Sequence, residues 1–392
     1  METTPAFRGL SCTDCGTRWD LPAADACPEC DAPLVAEYDP GDLSPATFEG
    51  RPDDQYRFAE LLPFGRDAAV SIAEGGTPLV ACPSLADDLG VAEVSVKDEG
   101  RNPTGALTDR GLSVAASVAA GSGASSLALP STGNGAQSAA AYAGRAGLDA
   151  RGFVPSRCPF VNKAMVNVHG GEMDVVGGRY ADALAAYREA LATADVRPFP
   201  AGPASPYRRE GCKTAFLEVA ADREWNVPDA VVVPAGHGIA VAAAGAAFDA
   251  LEAAGLTDAT PRVYAAQSDG CAPLVAAHES GGAVEPVERP DTIAGPLEVP
   301  DPACGDLALD AVAATDGGAV AAPDNDALEA GVAAAESTGV ELGATGGVAV
   351  AGAHALAADG KLGADESVVI VNPVAGSKES DLLRSHLMGQ GI

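Results

Sequence analysis

From residue 91 onward, short apolar runs alternate along the chain with longer stretches in which apolar residues recur at helical spacing. The short runs, rich in β-branched residues, predict strands over 91–97, 125–130, 150–154, 173–176, 230–234, 262–266 and 367–371. The longer stretches predict helices over 109–120, 136–146, 180–194, 208–222, 241–254, 326–337 and 347–358. Strands that alternate with helices form parallel sheets covered by helices, so the pattern predicts an α/β fold.

The composition supports a packed protein of more than one domain. The chain has 392 residues, of which 47% are hydrophobic and only 20% charged, and this excludes a disordered tail protein. The first residues contain no basic stretch followed by an apolar one, which argues against a targeting segment. The apolar uncharged run 231–248 is interrupted by Pro234 and three glycines, so it does not predict a membrane span.

The charge is strongly acidic, with 55 Asp and Glu against 24 Lys and Arg and a formal net charge of −31. Such a surface repels phosphate backbones and anionic lipids, which disfavours duplex nucleic acid and membranes as partners. High salt screens the self-repulsion of an acidic surface, so the bias is typical of a halophile's cytoplasm. We expect a cytoplasmic protein whose acidic residues form a solvated surface rather than a recognition patch.

Four cysteines near the amino terminus form two C-x2-C pairs separated by eleven residues: Cys12, Cys15, Cys27 and Cys30. Each pair can turn two thiolates toward one ion, and together they supply the closed tetrahedral set that structural zinc prefers. The spacing predicts a zinc ribbon over 1–38, with a redox pair or a ribbon that binds nucleic acid as the alternatives. The other five cysteines are scattered singly, which is typical of buried thiols.

The remaining chain divides by composition. Residues 39–75 are rich in Pro, Asp and Gly and predict an extended connector. Residues 76–392 hold the alternating pattern and predict the core.

Three turns that contain glycine follow predicted strands, at 102–105, 131–135 and 234–238. In parallel sheets, ligands bind where strand ends meet helix starts, because free backbone N–H groups there attract anions. Together the turns predict a site for a small ligand with a phosphate or carboxylate group. The alternative is that the glycines only form turns, that Asn134 only caps a helix, and that His237 is only a turn residue.

Several motifs in this order resemble the threonine synthase family of pyridoxal-phosphate proteins. They are E-G-G-T-P-L at 74–79, K-D-E-G-R-N-P-T-G at 97–105, D-R-G at 109–111, S-T-G-N at 131–134, Y-R-R-E-G-C-K-T at 207–214, the 234–238 turn and G-C-A-P-L at 270–274. The resemblance covers most of the chain from residue 74 onward. It is more specific for the tryptophan-synthase-β-like superfamily than for threonine synthase within it.

The resemblance implies a two-domain α/β/α architecture of fold type II, with a small subdomain at about 105–200 inserted in a larger one and the cofactor between them. In that family a lysine holds pyridoxal phosphate as a Schiff base and moves the substrate's protons, and O-phosphohomoserine becomes threonine. An amine is needed because it both forms the imine and acts as a base once released.

Where the family motif reads N-P-T-G-S-F-K-D-R-G, residues 102–111 read N-P-T-G-A-L-T-D-R-G, so Thr108 stands in the lysine's place. A hydroxyl cannot form the imine. The preceding lysine, Lys97, matches a separate lysine of the family and would have to swing across its strand to substitute.

Two further departures concern binding. Gly202 and Pro203 replace an Asn-Ser pair that helps to bind the substrate's phosphate in the family. Pro373 stands where the family has a threonine that contacts the pyridine nitrogen.

Other positions match the family. The resemblance assigns the cofactor to Asn134, Gly236 and Gly238, and the substrate to Ser131, Thr132 and Arg208. We therefore expect a pocket that accepts a small anion or non-covalent pyridoxal phosphate, besides structural zinc.

The leading hypothesis is a threonine-synthase-like protein without Schiff-base catalysis that senses a ligand or assists an active paralogue. The alternatives are an active lyase of threonine synthase type that uses another lysine, and a zinc-ribbon docking module. The expected partners are a small phosphorylated or amino-acid ligand and, as the relatives are often dimers, a second copy or a paralogue.

Overall fold

The computed structural model describes residues 1–22 and 25–389. Its strands are β1 (Phe7–Cys12), β2 (Arg18–Trp19), β3 (Leu34–Tyr38), β4 (Leu79–Ala81), β5 (Glu93–Asp98), β6 (Ser126–Pro130), β7 (Asp149–Pro155), β8 (Glu172–Val176), β9 (Phe199–Pro200), β10 (Ala230–Pro234), β11 (Arg262–Ser268), β12 (Gly318–Ala322) and β13 (Ser367–Asn372). Its α-helices are α1 (Pro83–Leu89), α2 (Thr108–Gly121), α3 (Asn134–Ala146), α4 (Phe160–Val168), α5 (Tyr180–Thr193), α6 (Pro206–Asp222), α7 (Ile239–Ala253), α8 (Pro273–Ser280), α9 (Gly305–Ala314), α10 (Asp324–Thr338), α11 (Ala344–Ala358) and α12 (Ser380–Gly389).

The described residues form two compact units. The first unit consists of Met1–Gly76, Thr108–Leu217 and Ala250–Leu256. The second consists of Thr77–Leu107, Glu218–Asp249 and the chain from Thr257 onward.

The first unit contains two sheets. A three-stranded antiparallel sheet has the order β2-β1-β3, and a four-stranded sheet has the order β8-β7-β6-β9 with parallel neighbours. One core cluster includes Leu10 and Leu34 of the small sheet together with Leu129 of β6 and Tyr142 of α3. Because β6 and β9 are parallel neighbours, their carboxyl ends lie at the same sheet edge, where binding residues are expected.

The second unit contains a six-stranded sheet of order β12-β11-β10-β13-β5-β4. All neighbours are parallel except β4, which runs antiparallel to β5. The centre of the sheet is apolar throughout, since Val231, Val232 and Val233 of β10 are fully buried. A strand that is covered on both faces consists of a continuous run of apolar residues. For this reason the sequence pattern predicted both ends of β10 correctly.

The predicted α/β fold is confirmed, and every predicted strand and helix is present with ends shifted by a few residues. The pattern missed β4, β9 and β12 and the helices α1, α4, α8, α9 and α12. β12, with the sequence G-A-V-A-A, shows why: small residues give too little contrast between apolar and polar positions to reveal a period. Among the described residues, no helix is long and apolar enough to cross a membrane.

The expectation of an extended connector over 39–75 is wrong for its central part. This part folds into short 3-10 helices at Pro45–Phe48, Gln55–Leu61 and Arg66–Ala68. The side chains of Phe58, Leu61 and Phe64 are fully buried. Contact clustering places Met1–Gly76 in the first unit together with α2 to α5.

Candidate functional site

The four paired cysteines converge at one point of the first unit. The Sγ atoms of Cys12, Cys15, Cys27 and Cys30 all lie within 4.8 Å of one another. Cys12 and Cys30 are 3.3 Å apart and Cys15 and Cys27 are 3.7 Å apart. Four thiolates around one Zn²⁺ at about 2.3 Å would be separated by similar distances, so the donor set and spacing fit a tetrahedral S4 centre.

The local structure favours a thiolate at Cys15, whereas the neighbouring thiols raise the pKa of Cys30. Hydrogen bonds from Thr17 lower the pKa of the Cys15 thiol to about 6. Cys12 lies at the end of β1, and its Sγ accepts the backbone N–H of Asp14 at 3.4 Å, as turns around metal-binding cysteines do. The four thiols could therefore hold one metal ion.

The predicted 131–135 turn lies at the carboxyl end of β6 and leads into α3. The Ser131 hydroxyl accepts the backbone N–H groups of Gly133 and Ala136, at 3.0 and 3.1 Å. Gly133 has φ +147, a conformation that glycine alone adopts readily. Thr132, between these two residues, is only partly buried.

Asn134 is the first residue of α3 and does not cap it. The residue at the cap position is Gly133, and the Asn134 side chain instead accepts a hydrogen bond from Asn162 of α4 at 2.8 Å. The capping alternative for Asn134 is therefore wrong. The pairing of the two amides places α4 beside the turn, an element that the sequence pattern missed.

Thr108 begins α2, and its hydroxyl lies 2.8 Å from the Ser138 hydroxyl of α3. The Ser138 hydroxyl in turn donates to the backbone carbonyl of Asn134 at 3.1 Å. The structure thus brings Thr108, Asn134 and Ser131 together in the first unit. Position 108 offers a hydrogen-bonded hydroxyl and no nitrogen nucleophile.

Arg208 lies in the first turn of α6 and is buried, with 7% of its surface exposed. A methyl group built on Gly135 would lie 3.1 Å from Ser131 Oγ and 3.6 Å from Arg208 Nη2. The arginine is therefore close to the 131–135 turn, as the resemblance implies. A guanidinium is well suited to bind a carboxylate or a phosphate group.

An aspartate of the ribbon lies at the same place, which the sequence did not predict. A methyl group built on Gly202, just beyond β9, would lie 3.3 Å from Asp25 Oδ2. Burial raises the pKa of the Asp25 carboxyl to about 7, although the positive charge of Arg208 opposes this shift. Nothing in the sequence links Asp25 to Arg208 across more than 180 residues, so only the fold could reveal the pair.

In the second unit, the 234–238 turn connects β10 to α7. Gly238 has φ +78, and a methyl group on it would lie 2.8 Å from the carbonyl oxygen of Cys304. A methyl group on Gly236 would lie 2.8 Å from the carbonyl oxygen of Pro296. Both glycines are thus required by the packing of the turn, which presents its backbone at the start of α7.

We expect Gly238→Ala to destabilise the protein more than Gly255→Ala. Both glycines have positive φ, +78 and +69, so alanine costs about 1–2 kcal/mol at either position. Only position 238 adds a backbone clash, since no atom lies within 4 Å of a methyl group at Gly255. Urea unfolding of both variants should differ by about 1–3 kcal/mol. Equal losses would show that the Cys304 contact relaxes without cost.

Lys97, on β5 of the second unit, has no unused donor. Its Nζ donates to the Thr77 carbonyl at 2.7 Å and pairs with Glu218 at 2.8 Å and Asp222 at 3.2 Å. A lysine ammonium has three N–H donors, so these contacts occupy all of them. Both Lys97 and Glu218 are 1% exposed. These contacts argue against the hypothesis that Lys97 swings out to replace a missing catalytic amine.

We expect Lys97→Met to lower the free energy of unfolding by about 3–5 kcal/mol, because it removes the ammonium that pairs with the buried Glu218 carboxylate. Urea titration measures the loss. Lys361→Met removes the same charge from an exposed position and should change stability by less than about 0.5 kcal/mol. A Lys97→Met protein as stable as the Lys361→Met protein would contradict the role given to the ion pairs.

The segment after β13 runs beside the turn that precedes position 108. Leu107 N–H donates to the Pro373 carbonyl at 2.8 Å, and Ala375 N–H donates to the Gly105 carbonyl at 3.0 Å. Lys378 follows on the same segment, and its Nζ donates to the Thr104 carbonyl at 2.8 Å. This half-buried lysine thus lies against the turn at 102–105.

Comparison with known proteins decides the family. Residues 70–373 match the model of the pyridoxal-phosphate dependent enzymes. The chain belongs to this family. It is 32% identical to the threonine synthase of Methanosarcina acetivorans over 92% of this chain and 90% of the relative. It is 31% identical to the threonine synthase of Methanocaldococcus jannaschii over 94% of this chain and 93% of the relative. The resemblance seen in the sequence is confirmed.

Solved structures confirm the fold. The processed form of threonine deaminase isoform 2 from Solanum lycopersicum superposes with a TM-score of 0.68 and 22% identity, over 80% of this chain and 83% of that chain. Maize serine racemase superposes with a TM-score of 0.66 and 20% identity, over 81% and 94%. The predicted fold type II α/β architecture of the pyridoxal-phosphate dependent enzymes is therefore correct.

The residues present fit the family's cofactor in part. The 234–238 turn presents backbone at the start of a fifteen-residue helix, which suits a phosphate group. Position 108 does not fit a covalent anchor, because its hydroxyl cannot form an imine and is held by Ser138. When bound, pyridoxal phosphate supplies the electron sink that stabilises negative charge on an amino acid's α-carbon.

Proposed function

We propose that the protein is a pyridoxal-phosphate-dependent lyase of the threonine synthase type whose amine is a lysine other than residue 108. The observation that supports this is the similarity to two threonine synthases along nine-tenths of the chain. The residues that would hold cofactor and substrate are those that the resemblance assigns: Ser131, Thr132, Asn134, Arg208, Gly236 and Gly238.

Lys378 is the lysine that we propose for this role. Lys97 has all its donors engaged, and Lys213 is buried in an ion pair with Glu210 at 2.5 Å. Lys378 instead lies against the turn whose chain leads into position 108, where its Nζ donates to the Thr104 carbonyl at 2.8 Å.

A second candidate function is ligand binding without catalysis, the hypothesis favoured by residue 108 itself. The Thr108 hydroxyl and the Ser138 hydroxyl form a neutral pair at 2.8 Å. Such a protein would bind pyridoxal phosphate or an amino acid and change its stability or its partners as a result.

We further propose that the four-cysteine cluster holds a structural zinc ion. Four sulfur donors leave no coordination position for a substrate, so the ion would stabilise the ribbon and take no part in a reaction.

Borohydride reduction of the protein with pyridoxal phosphate separates the two functions. An active lyase should give a yellow protein whose label maps, after digestion, to the peptide that contains Lys378. The Lys378→Ala variant should lose the label, and Lys361→Ala, an exposed control, should keep it. An unlabelled wild-type protein whose melting temperature rises with ligand would instead support ligand binding without catalysis.

A further inference from the structure

The side chain of Asn162, in α4, is buried against the 131–135 turn. It is 2% exposed, and its Nδ2 group donates to Asn134 Oδ1 at 2.8 Å. A methyl group built on Gly133 would lie 2.7 Å from Asn162 Nδ2, so α4 and the turn are in close contact at this point. We refer to the side-chain amides of Asn134 and Asn162 as the amide pair.

Asn162 is hydrogen-bonded at one end of its amide only. Its Oδ1 atom is buried and makes no hydrogen bond with the residues that the structure describes. A buried carbonyl oxygen without a donor is unfavourable, because it loses its hydration without compensation, and an apolar side chain of similar size would avoid this loss. Within the described part of the chain, the Asn162 side chain forms its hydrogen bond with Asn134 alone. The effect of Asn162 on Asn134 therefore gives the physical reason for an asparagine at this buried position.

The direction of this hydrogen bond decides what Asn134 can bind. A side-chain amide has an acceptor oxygen at one end and a donor nitrogen at the other. Asn162 engages the oxygen of Asn134, so the Nδ2 group of Asn134 is the end that is left for a ligand. That group makes no hydrogen bond with the described residues, and Asn134 keeps 9% of its surface exposed. Asn134 is thereby held as a hydrogen-bond donor, and the ligand atom beside it has to be an acceptor.

Ser131 narrows the choice of acceptor. Its hydroxyl oxygen accepts the backbone N–H groups of Gly133 and Ala136, so two donors at the start of α3 are already in use. A phosphate group binds best to several free N–H groups at a helix start, whereas a single amide donor suits a single oxygen atom. Pyridoxal phosphate carries one such oxygen directly on its ring.

We propose that Asn162 is a positioning residue, which fixes the amide of Asn134 so that its N–H group donates to the ring oxygen of the cofactor. This inference rests on the proposed function, in which Asn134 binds pyridoxal phosphate, and it adds the residue that orients this contact. In this role Asn162 acts through Asn134 rather than on the cofactor. It disfavours the reversed orientation of Asn134, in which the amide oxygen would face the ring oxygen and repel it.

Equilibrium dialysis with pyridoxine 5′-phosphate and 3-deoxypyridoxine 5′-phosphate tests the proposal. Neither compound has an aldehyde, so their binding does not require a lysine, and they differ only in the ring oxygen. We expect the wild-type protein to bind the compound that has the ring oxygen about tenfold or more tightly. Equal binding of the two compounds, or no binding of either, would overturn the proposal.

Borohydride labelling with pyridoxal phosphate reports separately on the amine of the proposed lyase. A labelled wild-type protein that binds the two pyridoxine compounds equally would refute only the positioning role. An unlabelled protein that prefers the compound with the ring oxygen would refute only the lyase.

The Asn162→Leu variant should lose the preference for the ring oxygen. Leucine has a similar size but no donor, so Asn134 can turn either end of its amide toward the ligand. We expect the ratio of the two affinities to fall about fivefold or more. A residue with a purely structural role would weaken the binding of both compounds equally, so an unchanged ratio in this variant would contradict the proposal.

Asn167→Leu is the matched control, because Asn167 is an exposed asparagine of the same helix. Its ratio of affinities should equal that of the wild-type protein. If Asn162→Leu does not fold, Asn162→Asp keeps the shape of the side chain and can accept but not donate, so it should show the same fall in the ratio. A folded Asn162→Asp protein with the wild-type ratio would also overturn the proposal.

Discussion

The Cys27→Ser variant is expected to lose its metal ion and to unfold the ribbon. Cys27 and Cys12 are the buried members of the four-cysteine cluster, and both belong to the core of the first unit. Zinc binding to such sites contributes on the order of 10 kcal/mol of apparent folding energy, so the loss of one thiolate removes a large part of it. Because residues 1–76 pack into the first unit, the damage should spread beyond the ribbon.

Metal content by mass spectrometry, thermal melting and amide exchange measure this effect. We expect about one zinc per wild-type chain and none in Cys27→Ser, with lost protection in Leu10 and Leu34 of the neighbouring core. Cys82→Ser changes a buried cysteine of the second unit and should retain the metal and most of the stability. A wild-type protein purified without metal, yet folded through residue 38, would disprove the structural role of the ion.

The Thr108→Lys variant is expected to acquire covalently bound pyridoxal phosphate at residue 108. The substitution restores an amine at the position where the family motif has lysine, and it replaces a hydroxyl whose hydrogen-bonding partner is Ser138. After borohydride reduction, the wild-type peptide that contains residue 108 should carry no label, and the same peptide of Thr108→Lys should carry nearly one label per chain. A rise in lyase activity should accompany the label. The effective concentration of an amine fixed at residue 108 exceeds that of any free amine in solution by orders of magnitude.

Peptide mapping of the reduced protein distinguishes residue 108 from other lysines. Thr193→Lys, at the exposed end of α5, is the control for non-specific labelling and should remain unlabelled at that residue. If Thr108→Lys folds and yet carries no label at residue 108, the site has diverged by more than the lysine. That result would favour ligand binding without catalysis.

Much of the fold could be predicted because it depends on local patterns. The β-branched run 230–234 and the amphipathic stretch 180–194 correspond closely to β10 and α5. The prediction was wrong for segments whose structure depends on packing against residues far away along the chain. Tyr56, Phe58 and Phe64 lie in a stretch of Pro, Asp and Gly, and only contacts with the rest of the first unit bury them.

Some features of the candidate site could likewise be predicted from the sequence, and others could not. The glycines at 133, 236 and 238 and the cysteine pairs were visible because backbone turns and metal ligation impose short, fixed spacings. The proximity of Asp25 to Gly202 and Arg208 was invisible, since these residues are more than 170 positions apart along the chain.

By itself, the sequence determined the class of fold, the resemblance to the threonine synthases, the spacing of the four paired cysteines and the absence of lysine at position 108. Each depends on residue types at short spacing or at one position. Only the tertiary structure decided that Lys97 has no unused donor and that Asp25 lies beside Arg208. These properties depend on which side chains share a buried space, and residues far apart along the chain can be brought together there only by folding.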